Sequence, residues 1–288
     1  MRVSTLLASG ASVQVYRAGS VAVRVATPRQ GEEVSFQSDA QIRRLLHAAG
    51  QPVSVPLKLG ILPGGVCYSL DTFVQGEPCA DLSEHDCRAL GGVLSALHTL
   101  PCSHFGLLQD RSDMLAGHAS SFADGLRTRL NDAWPYGTGS LEHHPLTGTQ
   151  PAIWPRLRAL HRELLALKTA PVVVCHTDLH SGQLLWIRAD DGTRRLSALL
   201  DFGDAACGPV CWDVASFAYF HGWERADWLR DGLSSPPPMR EAALFGVLLA
   251  FHRARRAHSL KRPADLHRAQ AFLAVTLERL TAQAGDRA

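Results

Sequence analysis

Two carboxylates and an amide, Asp178, Gln183 and Asp201, stand within a stretch of short loops and apolar runs between Val172 and Gly203. Those residue types suit metal-assisted phosphoryl transfer. Mg²⁺ is a hard cation that prefers oxygen, so Asp201 can bridge it to the β- and γ-phosphates of a nucleotide, with the neutral carbonyl of Gln183 as a weaker neighbour. Asp178 can accept the hydrogen bond of an acceptor hydroxyl and turn its oxygen in line with the γ-phosphate.

The elements that must position them are legible around them. Val172-Val173-Val174 is a β-branched run that predicts a strand delivering its end to the loop 176–183. Leu184 to Ile187 and Leu196 to Leu200 flank Asp191-Gly192, a strong hairpin signal. With a two-residue loop, residues whose numbers sum to 383 face each other, so Gln183 opposes Leu200 and Asp201 follows at the open end. Gln183 and Asp201 are therefore expected to meet beside Asp178.

The segments His176-Thr177-Asp178-Leu179-His180-Ser181-Gly182-Gln183 and Asp201-Phe202-Gly203-Asp204-Ala205 resemble the HGDLHPGN and IDFGDA motifs of the aminoglycoside phosphotransferase and choline kinase group, relatives of the protein kinases. Thr177 and Ser181 are small departures. Gln183 is a larger one, since the family usually has Asn there and Gln carries its amide one methylene farther out. The resemblance implies an α+β, bilobal protein-kinase-like fold: residues 1–77 as a nucleotide-binding lobe of five antiparallel strands with one helix, and 78–288 as a mainly helical catalytic and acceptor-binding lobe. It implies Mg²⁺, with ATP or GTP as phosphate donor.

The resemblance also assigns residues in the first lobe. Ser9-Gly10-Ala11-Ser12 precedes the alternation Val13 to Arg17 and corresponds to the family's phosphate-approaching loop, where small residues let backbone N–H groups come close. Arg24, on the strand Val21–Val25, takes the place of the basic residue that neutralises the α- and β-phosphates. The acid that orients it corresponds to Asp39, on a helix expected from Phe36 to Ala49 with Ala40, Leu45 and Leu46 on its apolar face; Glu32 or Glu33 are the alternatives. Strands are expected over 57–62 and 67–74. The stretch Tyr68 to Pro78 is similar to the family's hinge, placing Phe73 and Val74 beside the base. Asp213 corresponds to the acid that holds the catalytic loop's backbone, and His98 and His176 read as structural. His180 is either an acceptor contact or a solvated side chain.

Farther along, Ser83 is an N-cap for a helix with Leu90, Leu94 and Leu97 on one face, and Gly91-Gly92 should let a second helix approach. Helices are expected around Phe122–Leu130 and Leu157–Leu167. Between them 134–155 has no apolar period and reads as a long loop, functional lid or disordered segment.

Composition bounds the partners. With 29 Lys plus Arg against 27 Asp plus Glu and no basic block, nothing points to nucleic acid. No apolar run approaches a membrane span and no signal-peptide core is present, so a cytoplasmic monomer or homodimer is expected. The seven cysteines show no zinc spacing and read as reduced, mostly buried thiols. Residues 214–288 hold eleven Lys or Arg against seven Asp or Glu, a poor surrounding for a polycationic acceptor. Phe217, Tyr219, Phe220, Trp223 and Trp228 suit a bulky, weakly charged natural product such as a macrolide or nucleoside antibiotic, although core packing is the better account of Phe217 and Phe220. The function expected is phosphorylation of an antibiotic-like hydroxyl (macrolide, nucleoside antibiotic or aminoglycoside), with resistance or self-resistance as its outcome. The alternatives are a homoserine- or choline-type metabolite kinase, or a nucleotide-binding module without transfer.

Overall fold

The computed structural model describes residues 5–10, 12–27, 34–110, 114–130, 134–137, 140–167, 172–190 and 192–285. Ala11, Glu32, Glu33 and Asp191 lie outside them. The first lobe is an antiparallel sheet of β1 (Thr5–Ser9), β2 (Val13–Ala18), β3 (Val21–Ala26), β4 (Pro56–Ile61) and β5 (Cys67–Thr72), ordered β1-β2-β3-β5-β4. Helix α1 (Gln37–Ala48) accompanies it. The helix buries Ile42, Arg43 and Leu46 rather than Leu45, which is 38% exposed, so its inner face is partly polar.

The chain leaves this sheet through Phe73 to Gly76. Gly76 has φ +151°, and a Cβ there would collide with Ser197 Oγ and Leu185. Only glycine lets the strand β6 (Glu77–Pro78) lie against β11 (Leu184–Arg188). That strand pairs in turn with β12 (Arg194–Leu199), forming the hairpin expected from the sequence. Its mouth keeps the expected register, with Leu184 opposite Leu199 and the Leu200 N–H bonded to the Gln183 carbonyl at 2.9 Å. Its tip does not: Arg188 faces Arg194, and the Ala189 N–H reaches the Thr193 carbonyl at 2.8 Å. The two-residue loop is thus corrected to a longer turn. A bulge between Leu185 and Trp186 compensates for it, leaving Ser197 as the extra residue.

The second lobe contains α2 (Glu84–His98), whose Ser83 cap forms a reciprocal capping box with Asp86. Then come β7 (Cys102–Ser103), β8 (Phe105–Leu108), β9 (Leu115–Ala119), α3 (Phe122–Leu130) and α4 (Trp154–Ala166). With β10 (Val173–Cys175) and β13 (Ala206–Gly208), β7 to β9 build a second five-stranded sheet, ordered β10-β13-β8-β9-β7, which the sequence had not suggested. Helices α5 (Cys211–His221), α6 (Trp223–Asp231), α7 (Met239–Ser259) and α8 (Pro263–Gly285) complete the lobe. Gly91 lets α2 reach the end of α6, because a Cβ would strike the Leu229 carbonyl. Helix α5 is buried nearly all round, the mark of a central core helix. Among the described residues no helix is long and apolar enough to cross a membrane.

Of the stretch 134–155, expected as a lid or a disordered loop, the described residues 134–137 and 140–155 pack against the second lobe through several side chains. Tyr136, Leu141 and Leu146 are buried, and the Tyr136 hydroxyl donates to the Leu164 carbonyl at 2.6 Å. Irregular backbone anchored by single apolar side chains carries no period to read.

Candidate active site

The loop from His176 to Gln183 is nailed down by its backbone. Asp213, at the start of α5, accepts the N–H groups of His176 (3.1 Å) and Thr177 (2.8 Å), and Ser216 bridges the Thr177 carbonyl (2.8 Å) to the Leu179 N–H (3.2 Å). Two further bonds tie the loop to the segment after β12: His176 Nε2 to the Leu200 carbonyl at 2.8 Å, and Thr177 Oγ1 to the Asp204 carbonyl at 2.7 Å. Thr177 has φ 66°, a conformation that favours glycine. Its hydroxyl bond offsets that strain. His98 Nε2 also lies 2.9 Å from Asp213 Oδ2, and with Cys175 these form a cluster of ligand-type atoms within 4.8 Å. Both Asp213 oxygens are already engaged by backbone N–H groups, so the cluster is a hydrogen-bonded support.

At the hairpin mouth Gln183 Nε2 donates to Asp201 Oδ2 at 3.0 Å, the meeting expected from the register. Asp201 is held at φ 61°, ψ 76°, which turns its exposed carboxylate to the same side as Gln183. A carboxylate and an amide carbonyl are hard oxygen donors that fit Mg²⁺, provided Gln183 turns its oxygen inward.

Arg24 and Asp39 meet at 2.7 Å between Nη1 and Oδ2, and Asp39 is 1% exposed. Arg43 and Asp71 join them, neither expected from the sequence. Arg43 reaches Asp39 Oδ2 at 2.6 Å and Asp71 Oδ1 at 3.0 Å, and Ser69 Oγ donates to Asp71 at 2.6 Å. The i, i+4 spacing of Asp39 and Arg43 was the available signal. Burial opposes ionisation of Asp39, but Arg24 and Arg43 outweigh it and lower its carboxyl to about 2. Burial likewise opposes charge on Arg24; Asp39, Asp201 and Asp71 override it and raise the guanidinium's pKa. Asp39 Oδ1 accepts the Phe202 N–H at 3.0 Å, joining α1 to the loop that carries Asp201.

The other residues expected to meet the nucleotide lie on the same sheet and its loops. Ser9 ends β1, the Gly10 N–H donates to the Val13 carbonyl at 2.8 Å, and the Thr27 N–H to the Ser12 carbonyl at 2.8 Å. Since Val13 pairs with Ala26 and Val15 with Arg24, this turn overhangs the Arg24 end of the sheet. Phe73 and Val74 are half-buried; the Phe73 N–H bonds the Ser20 carbonyl at 2.9 Å and its ring lies under the Arg17 guanidinium, 4.1 Å away.

Asp178 faces the other way. Arg253 of α7, missed by sequence reading, contacts Asp178 Oδ1 through Nη2 at 2.6 Å, and His180 Nε2 is 3.9 Å from Oδ2. Beside them is a cavity of about 490 Å³ lined by Ala80, His180, Ser181, Phe220, His221 and Arg268. Burial pushes His221 down to about 4. The aromatic stretch is mostly core, contrary to the acceptor platform expected. Tyr219 and Trp223 are buried against Phe272, and Trp228 packs on the core. Phe217 is core as expected, stacked on His221, whereas Phe220 lines the cavity. All seven cysteines are free, four of them buried.

Solved structures with this fold include aminoglycoside phosphotransferase APH(4)-Ia, in a thermostable mutant (TM-score 0.66, 17% identity, 96% of this chain and 94% of the other). They also include choline kinase LicA from Streptococcus pneumoniae (TM-score 0.59, 14% identity, 95% and 93%). Among curated proteins, the N-acetylmuramate/N-acetylglucosamine kinase of Caulobacter vibrioides is 31% identical over 99 residues, 34% of this chain and 22% of that protein's length. The fold is therefore protein-kinase-like. A profile of the phosphotransferase enzyme family matches residues 4–245, and the chain belongs to that family.

Proposed function

We propose that the protein is a Mg²⁺-dependent O-phosphotransferase that moves the γ-phosphate of ATP or GTP to a hydroxyl of a small acceptor without several positive charges. The observation that carries this reading is the position of Asp178, on a braced loop that ends at the Gln183–Asp201 pair, paired with Arg253 and next to His180 of a cavity that Arg268 also lines. A polycationic acceptor would face like charge at the reacting carboxylate.

The roles follow from the geometry. Asp178 accepts the hydrogen bond of the acceptor hydroxyl and takes its proton as the oxygen–phosphorus bond forms. The bond from the γ-phosphorus to the β–γ bridging oxygen breaks, and its electron pair leaves with the nucleoside diphosphate. Asp201 and Gln183 would hold Mg²⁺, which supplies neutralisation of phosphate charge. Arg24 serves the α- and β-phosphates, kept in place by Asp39, and the Ser9-Gly10-Ser12 loop offers backbone donors. Because the Phe73 N–H is already bonded, base recognition falls to the Val74 backbone and the slot beside it. The lobes divide near residue 77, where the chain joins the hairpin.

An antibiotic-like acceptor is the second arm of this reading, supported by the basic terminal segment but no longer by an exposed aromatic platform. Coupled nucleotide release tests both arms, over a panel of aminoglycosides, macrolides, nucleoside antibiotics, amino alcohols and amino sugars. A fall in turnover of ~10²–10⁴-fold in Asp178→Asn is expected; turnover confined to aminoglycosides, or nucleotide binding with no turnover anywhere, would overturn the proposal.

A further inference from the structure

The bond between Arg253 and Asp178 is unusual for a group that must take a proton from a hydroxyl. A carboxylate oxygen held at 2.6 Å by a guanidinium has that lone pair occupied. Arg253 is itself constrained: its side chain is 12% exposed, its guanidinium carbon lies 5.0 Å from the Phe220 ring centroid and 5.4 Å from that of Tyr219, and its Nε is buried without a hydrogen-bond partner. The guanidinium is therefore a fixed fork with unused donor capacity.

The surroundings add charge of the same sign. Two acids close in sequence to the lining residues have arginines of their own: Asp81, next to Ala80, pairs with Arg225 at 2.7 Å, and Asp265, three residues before Arg268, with Arg262 at 3.9 Å. Arg268, which lines the cavity, has no ion-pair partner among the described residues. His180 stands on the same wall. The cavity thus places one unpaired guanidinium at its rim and a second beneath an aromatic floor, with Asp178 as the acid next to them.

We propose that the acceptor carries a carboxylate, bound between Arg268 and Arg253, and that its binding draws the Arg253 fork off Asp178 so that the freed oxygen can receive the acceptor hydroxyl. This rests on the transfer reading above and narrows its substrate to hydroxy acids, sugar acids included. Arg253 is then a specificity-determining and positioning residue: an acceptor without the anion leaves Asp178 engaged. Water is such an acceptor, so the same pair restrains wasteful hydrolysis of the nucleotide.

The test uses matched pairs that differ in a carboxylate: N-acetylmuramate against N-acetylglucosamine, and glucuronate against glucose. Each is measured with the full chain and Mg-ATP for phosphorylation, and by calorimetry for binding. The wild type should favour the carboxylate member of at least one pair by about tenfold or more in kcat/KM, the scale of one charge-assisted contact. Arg253→Gln should erase that preference, while Arg268→Glu, a surface change that leaves the buried fork intact, should reverse it mainly through KM. Preference for the neutral member in every pair, or a carboxylate preference untouched by Arg268→Glu, overturns the subsite while transfer stands. If none of these sugars is phosphorylated although Mg-ATP binds, the transfer reading is decided by the wider acceptor panel instead. The subsite is then judged on binding: carboxylate-selective binding lost in Arg268→Glu supports it, and no such selectivity overturns it.

Discussion

The molecule has two arginine–aspartate centres on either side of its candidate reaction point, and they are built differently. On the proposed nucleotide side Arg24, Asp39, Arg43 and Asp71 form a buried two-plus-two cluster braced by Ser69 and Ser54 and bonded to the Phe202 backbone. On the proposed acceptor side a single pair, Arg253 and Asp178, with side chains 12% and 18% exposed, lies next to the cavity that His180 and Phe220 line. Buried charges are tolerated only when mutually paired, and removing one partner exposes the desolvation penalty of the rest. A single pair with donor capacity left over can instead exchange its carboxylate for that of a ligand. The first centre therefore holds geometry, and the second is suited to switching.

The largest effects should come from the carboxylates between the two centres. Asp178→Asn keeps shape but loses the charged proton acceptor, and kcat should fall by ~10²–10⁴-fold with nucleotide affinity near normal. Asp201→Asn should impair both turnover and Mg-dependent nucleotide binding, because the carboxylate proposed to hold Mg²⁺ is lost. Phosphorylation assays with separate nucleotide titrations distinguish them. Near-normal kcat in Asp178→Asn would place the chemistry on another residue.

Breaking the centres themselves should separate stability from selectivity. Arg43→Met strands Asp39 and Asp71 in the interior and should lower unfolding free energy by about 3–5 kcal/mol in urea titrations. Arg253→Met should cost less, about 1–3 kcal/mol, because one partly exposed carboxylate rather than two buried ones loses its arginine. Equal losses would mean that the acceptor-side pair is also structural.

Acid should reach the two sides in sequence. Burial lowers His144, set against Phe251, and His221, at the acceptor cavity, from 6.5 to about 4. A histidine depressed in the folded state favours folding fully above its unfolded pKa, and that contribution disappears as pH falls toward the folded value. Between pH 6.5 and 4, each histidine should remove roughly 3 kcal/mol. Asp39, lowered from 3.8 to about 2, keeps its contribution until pH drops below 3.8 and loses it on approaching 2. Urea midpoints measured against pH should show the histidine loss first, flattened in His144→Phe, with the nucleotide-side cluster surviving to lower pH.

The smallest effects belong to the departures from family pattern. Gln183 is half-buried and contributes only a neutral oxygen, so Gln183→Asn should retain measurable Mg-dependent activity. Thr177→Gly relieves a positive φ and loses the bond to the Asp204 carbonyl, effects of about 1 kcal/mol each and opposite sign, so its midpoint should barely move.

What the sequence determined by itself is local. The strand into the loop 176–183, the register of Gln183 against Leu200 and the Ser83 cap all follow from turn chemistry, alternation and caps within a few residues. The pairing of Arg24 with Asp39 was reachable because a compound motif supplied long-range context. Tertiary structure decided the rest. Arg253 meets Asp178 across 75 residues and Asp39 meets Phe202 across 163, and no spacing rule encodes such contacts. The short strands β7 to β9 lack the length to show alternation, and α5 is buried nearly all round, so its inner and outer faces carry no contrast. For the same reason the aromatic residues of 217–228 could not be sorted into core and cavity until packing chose Phe220 for the wall. Chemistry that sits on adjacent residues is written in the chain; the charge that selects its partner exists only after the helices have closed around it.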